Sequence, residues 1–208
     1  MSGGTSVAVV VPIVSKIYCN SSSPLVFVVR NRPPAVNGGG FVVSNCRQEV
    51  VFRVDGCGTL GTKGKLILRD ANAAPLLVIR RKGGVVQALS VYKQWRGYAQ
   101  EEGAETLVFS LKEPSSWALK SKIRVSIGPH CSGWDFEVKG SFVDRDCCIR
   151  DRRGNVAAQV GVVQVMKESE ESNKDYVYHV VVQPGVDQAF VFGVLAVLDN
   201  IYGQSTAC

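Results

Sequence analysis

Hydrophobic and polar positions follow two rhythms along this chain. From residue 25 to residue 182 they alternate in short runs. Within Lys122-Ile123-Arg124-Val125-Ser126-Ile127, the residues Ile123, Val125 and Ile127 fall on one side and Lys122, Arg124 and Ser126 on the other. A period of two is that of a half-buried strand. Comparable runs are predicted at 25–29, 41–44, 50–54, 65–69, 76–80, 85–93, 106–112, 119–127, 135–139, 147–150, 156–166 and 176–182. Gly, Pro, Asn and Asp separate them, as in Asn31-Arg32-Pro33-Pro34, Gly83-Gly84 and Gly154-Asn155. About twelve short strands with turn residues between them predict an all-β sandwich or barrel.

The second rhythm is an unbroken apolar run. Residues 186–202 read VDQAFVFGVLAVLDNIY, and 189–198 are apolar throughout. Asp187 is placed to cap a helix start and Gly203 to end it. Val and Phe also favour strands, so a strand remains the alternative. As a helix the run is apolar on every face, which requires lipid or an enclosing protein. A bilayer span needs roughly 20 apolar residues. The flanking Asp187 and Asp199 are also unlike the basic anchors of membrane helices, so no transmembrane span is expected. A closed sheet of about twelve strands has an interior too wide for its own side chains to fill, and a helix roughly 10 Å across fills it. The expected fold is mostly β: a closed barrel of about twelve strands around a C-terminal hydrophobic helix at 187–202. Residues 1–24 read as a variable lead-in, 25–203 as one domain and 204–208 as a tail.

Composition adds a net charge of +6 and seven cysteines. The positive charge suits anionic lipid, nucleic acid or acidic protein. The cysteines show no metal-ligand spacing, and nothing resembles a secretory signal, which predicts reduced thiols in the cytosol or nucleus. Ser2 stands where myristoylation needs Gly, and Cys208 is the last residue, so no prenylation box follows it. Any membrane contact is expected to be peripheral.

Five segments carry a family resemblance: Gly40-Phe41-Val42-Val43 with 49–54; 65–70 with 75–80; Tyr92-Lys93-Gln94-Trp95-Arg96-Gly97-Tyr98; 135–142; and Pro184-Gly185-Val186-Asp187-Gln188-Ala189-Phe190-Val191 running into Leu198-Asp199-Asn200-Ile201. In their order and spacing the chain resembles the plant LURP-one-related (LOR) proteins. That resemblance implies the tubby C-terminal-like fold, a twelve-stranded barrel around a buried helix, shared with tubby proteins and phospholipid scramblases. It implies phosphoinositide or other anionic-lipid binding at a membrane and a link to plant defence. A membrane-tethered transcription regulator and a scramblase-like protein are the alternatives. Fold by itself does not settle function.

The candidate chemistry points away from catalysis. Two histidines are present: His130, in a turn beside Cys131, has no orienting acid nearby, and His179, in an alternating strand, is expected to have a structural or surface role. Adjacent Cys147 and Cys148 point to opposite faces of a strand and are poor joint ligands. Asp144, Asp146 and Asp151 do not fit a calcium loop, whose sixth and twelfth positions would be Ile149 and Asn155. No helix-turn-helix, zinc finger or RNA-binding signature is present, so direct nucleic-acid contact is not expected. Three basic clusters remain: Lys120/Lys122/Arg124, Arg150/Arg152/Arg153, and a patch from Lys63, Lys65, Arg80, Arg81 and Lys82. The last is the expected lipid-binding site, because converging cations grip phosphate. The expectation is thus a monomeric, non-catalytic binding module without cofactor or metal. It would be cytoplasmic, at the plasma membrane or nuclear, with an unnamed protein partner.

Overall fold

A computed structural model describes residues 12–19, 22–33, 39–56, 64–82, 94–101, 104–113, 122–129, 133–162 and 177–202. It contains twelve strands: β1 (Leu25–Asn31), β2 (Gly40–Ser44), β3 (Val50–Asp55), β4 (Lys65–Asp70), β5 (Pro75–Arg81), β6 (Gln94–Glu101), β7 (Ala104–Lys112), β8 (Ile123–Ile127), β9 (Phe136–Ser141), β10 (Asp146–Asp151), β11 (Val156–Val162) and β12 (Val177–Val182). One helix, α1 (Gln188–Ile201), follows. Each strand pairs antiparallel with its sequence neighbours, and β1 pairs with β12 to close the barrel. Leu25 opposes Val182 and Arg30 opposes Val177 along that seam. Closure leaves no exposed sheet edge.

Alternation decides which side chains enter. In β4, Leu66 and Leu68 are fully buried while Lys65, Ile67 and Arg69 face outward and are half-buried. Helix α1 fills the interior, and residues 188–199 are all buried. Phe192 meets Phe27 and Phe52, each at 5.3 Å between ring centroids. Phe190 meets Phe109 at 5.8 Å and Phe136 at 5.0 Å. The uniform apolarity of the helix is the counterpart of an inward face on every surrounding strand.

Asp187 caps the helix, its Oδ1 accepting the Phe190 N–H at 3.1 Å. The C-cap is Tyr202, and Gly203, the expected stop, lies outside the described residues. Residues 12–19, within the stretch read as a lead-in, pack on the end of the barrel where α1 begins. Val14 and Cys19 are buried there, and the Tyr18 ring lies 5.0 Å from Phe52. At the opposite end, Tyr202 stacks on Phe142 at 6.1 Å. The Arg145 guanidinium lies 4.5 Å from the Phe142 ring and 4.2 Å from Tyr178. Burial, and then the charge of Asp199, push the Tyr178 hydroxyl pKa well up.

The sixth strand differs from expectation. The predicted run 85–93 lies outside the described residues, and β6 occupies Gln94–Glu101. Its inward residues are Trp95, Gly97 and Ala99, two of them too small to register as an apolar stripe. Phe109 occupies the space over Gly97, where any Cβ would collide with its ring. Two further boundaries shift: β8 begins at Ile123 and β11 ends at Val162, and 119–121 and 163–166 lie outside the described residues. Among the described residues no helix is long and apolar enough to cross a membrane.

Candidate functional site

Outward positions on β4 to β10 carry cations in register. Lys65 lies opposite Arg80, Arg80 opposite Arg96, and Arg96 opposite Ser110. Two residues further along the strands, toward the end where α1 finishes, a second row runs across the wall. Gln94 opposes Lys112, Lys112 opposes Arg124, Arg124 opposes Glu137, and Glu137 opposes Arg150. Opposed residues of an antiparallel pair have Cβ atoms about 5 Å apart. Charges distant in sequence therefore become one basic wall.

The five residues expected to bind lipid are distributed as follows. Lys63 lies outside the described residues. Lys65 and Arg80 face each other. Arg80 is held by Glu105 through two hydrogen bonds, 2.7 and 2.6 Å, and its guanidinium lies 5.6 Å from the Tyr98 ring. Those Arg80 hydrogen bonds hold the Glu105 carboxyl below its ordinary pKa. Arg81 opposes the inward-facing Trp95, and its guanidinium sits 3.7 Å from Glu113 at the rim. Sequence neighbours in a strand point opposite ways, so Arg80 and Arg81 do not share a face. Lys82 is exposed, and its backbone N–H donates to Gln94. Two of the four described cations thus have carboxylate partners.

The other two clusters become one. Strand β9 lies between β8 and β10 and places Glu137 between Arg124 and Arg150. Glu137 faces outward yet is only 4% exposed. Lys122 Nζ at 3.5 Å and Arg124 Nε at 3.7 Å flank its Oε1, and Lys139 Nζ lies 3.8 Å from Oε2. Arg124 also lies over the Trp134 ring at 5.2 Å, and Arg152 approaches the same ring at 5.9 Å. Arg152 Nε donates to the Trp134 carbonyl. Arg150 Nε donates to Cys148 Sγ at 3.1 Å. Arg153 is exposed, and Lys120 lies outside the described residues. The sequence reading missed Lys112, Trp134, Glu137 and Lys139. The outward phase of Glu137 and Lys139 is legible in 135–139, but their convergence with Lys122 and Arg124 needs the strand register.

The remaining candidates are dispersed. His130 lies outside the described residues, and the His179 ring lies over Gly161 on the neighbouring strand. Cys147 is buried and Cys148 half-buried, as opposite faces require. Burial pushes the Cys147 thiol up to about 12. Asp144 and Asp146 are exposed. Burial raises the Asp151 carboxyl, but hydrogen bonds from Asn155 outweigh it and hold the pKa below its ordinary value. Among the described residues no three His, Cys, Asp or Glu side chains are grouped to hold a metal.

Comparison with known proteins places this architecture. The family model described as LURP-one-related matches residues 25–199. Protein LURP-one-related 6 of Arabidopsis thaliana is 52% identical over 200 residues, covering 94% of this chain and 98% of that protein. Protein LURP-one-related 16 of the same plant is 48% identical over 216 residues, covering 99% and 100%. An X-ray structure of another Arabidopsis thaliana protein superposes with a TM-score of 0.64 at 22% identity, covering 91% of this chain and 98% of that one, which supports the fold alone. With the family model spanning the barrel from β1 through the buried helix, the chain belongs to the LURP-one-related family.

Proposed function

We propose that this protein is a non-catalytic binding module whose basic outer wall docks on anionic lipid surfaces. One observation carries this reading. The cations of β4 to β10 line up across neighbouring strands: Lys65, Arg80 and Arg96 stand opposite one another in one row, and in the next Lys112 stands opposite Arg124, with Glu137 between Arg124 and Arg150. A rigid barrel presents them together, so their attraction to a negative surface adds without an ordering cost. The wall's carboxylates serve as counter-ions, Glu105 to Arg80 and Glu137 to three cations, and Glu113 does the same for Arg81 at the rim.

Co-sedimentation tests this with vesicles of phosphatidylcholine alone and of phosphatidylcholine with phosphatidylserine, at two salt concentrations. The wild type is compared with the quadruple variant Lys65→Ala, Lys82→Ala, Lys112→Ala and Arg150→Ala. Each basic residue near an anionic leaflet contributes about 1 kcal/mol. The variant should therefore bind phosphatidylserine vesicles roughly a thousandfold more weakly while keeping the wild-type circular dichroism spectrum. Wild-type binding that ignores the lipid charge, or is absent at low salt, overturns the proposal.

A further inference from the structure

Glu137 is an outward-facing carboxylate that water hardly reaches. Its side chain is 5% exposed because Lys122, Arg124 and Lys139 roof it, and these are 59%, 49% and 50% exposed. One cation suffices to neutralise a buried carboxylate, yet here three positive charges meet one negative. The contacts of 3.5, 3.7 and 3.8 Å are longer than charge-assisted hydrogen bonds, which run about 2.7–2.9 Å. Oε1 has no hydrogen-bond partner among the described residues. Glu137 therefore gathers the three cations without occupying their donors. Crowding like charges is unfavourable, and Glu137 offsets only part of that repulsion. The Trp134 ring, flanked by the Arg124 and Arg152 guanidinium groups, gives the cluster a firm wall on one side.

We infer that Lys122, Arg124 and Lys139, gathered by Glu137 beside Trp134, form a recognition site for a compact ligand bearing at least two phosphate groups. The inference rests on the reading of this wall as anion-binding and assigns it a specific locus. Phosphate oxygens reach the outward N–H groups of both lysines and the fork of Arg124, and desolvation against Trp134 strengthens each contact. Lys112 and Arg150 stand opposite Arg124 and Glu137 and extend the positive field on either side. The same chemistry belongs to a soluble inositol phosphate and to the headgroup of a phosphorylated inositol lipid.

Calorimetric titration of the whole chain with inositol 1,4,5-trisphosphate tests the inference, with sulfate as the control anion. The expected result is saturable binding at one site, weaker for sulfate. Removing Lys122 or Lys139 as alanine should weaken it by about tenfold each, and Arg124→Ala by more, as charge-assisted hydrogen bonds are lost. The double variant Lys65→Ala with Lys82→Ala removes two charges, one more than any of these single variants, from the far side of the wall, where salt screens their field, and should weaken trisphosphate binding by less than about twofold. Equal losses in both sets of variants, or no saturable binding, overturn the inference. Thermal melts confirm that each variant is folded. A parallel vesicle arm separates the two readings. Trisphosphate binding without binding to phosphatidylserine or phosphoinositide vesicles assigns the site to a soluble phosphate and ends the membrane proposal. Binding that follows vesicle charge alone, with no trisphosphate site, ends this inference and keeps the membrane proposal.

Discussion

Asp187 and Val14 lie 173 positions apart, and a 2.6 Å hydrogen bond joins the Val14 N–H to Asp187 Oδ2. The same oxygen accepts the N–H groups of Ile13 and Ser15, each at 3.0 Å, while Oδ1 caps α1 through Phe190. One carboxylate thus satisfies a helix start and ties the N-terminal segment to it. Replacing Asp187 by Ala removes the cap and leaves three N–H groups without their acceptor. The expected cost is about 3 kcal/mol, measured by urea unfolding. Hydrogen exchange should quicken at 13–15 well before it does in β1. Unchanged exchange there would show that the segment is held by Val14 and Tyr18 packing instead.

Gly97 and Gly193 both face Phe109, but with different tolerance. A Cβ at Gly97 would run into the Phe109 ring, which is rigid and packed on Phe190. A Cβ at Gly193 would approach the Leu77 methyl Cδ1 at 2.8 Å, the end of a flexible side chain. Gly97→Ala is expected to destabilise by roughly 2–3 kcal/mol through overpacking, and Phe109→Leu should restore part of that. Gly193→Ala gains helix propensity of about 1 kcal/mol, which should nearly offset its repacking. Equal costs for the two variants in denaturant unfolding would contradict this picture.

Asp55 links β3 to two arginines, Arg32 at 2.9 Å and Arg69 at 2.7 Å. Burial raises its pKa, but the hydrogen bonds from Arg69 and Arg32 outweigh that and hold it below the ordinary value. A carboxyl depressed in the folded state stabilises above its unfolded pKa of about 3.9. That stabilisation is lost as pH falls through the folded value. The stability difference between wild type and Asp55→Asn should stay constant from pH 7 to about pH 5 and then shrink toward pH 2. A difference independent of pH would mean that the carboxylate charge contributes nothing.

The thiols should divide by burial. Cys46 is exposed, whereas Cys19 and Cys147 are buried. Burial, with Asp187 beside it, pushes Cys19 to about 11, and burial pushes Cys147 to about 12. Iodoacetamide at pH 8 should modify Cys46 in the folded protein and reach Cys19 and Cys147 only in urea, since the thiolate is the reactive form. Peptide mass mapping reads the result. Rapid modification of Cys19 in the native state would place segment 12–19 off the barrel end.

The sequence by itself determined the strand rhythm, the buried helix and its cap. Ile123 and Val125 alternate with Arg124 because a strand repeats every two residues, and the run after Asp187 is apolar on every face because strands surround it. These are local patterns, fixed by what each side chain must face. The tertiary structure decided how the basic residues are grouped. Arg80 and Arg81 adjoin in sequence, yet strand phase sends one to Glu105 and the other to the rim beside Glu113. Arg124 on β8 and Lys122 just before it meet Glu137 and Lys139 of β9, with Arg150 of β10 standing opposite Glu137, only because β9 pairs with both β8 and β10. Strand phase is written in one segment, but strand neighbours and their register belong to the closed barrel, and charge convergence depends on those.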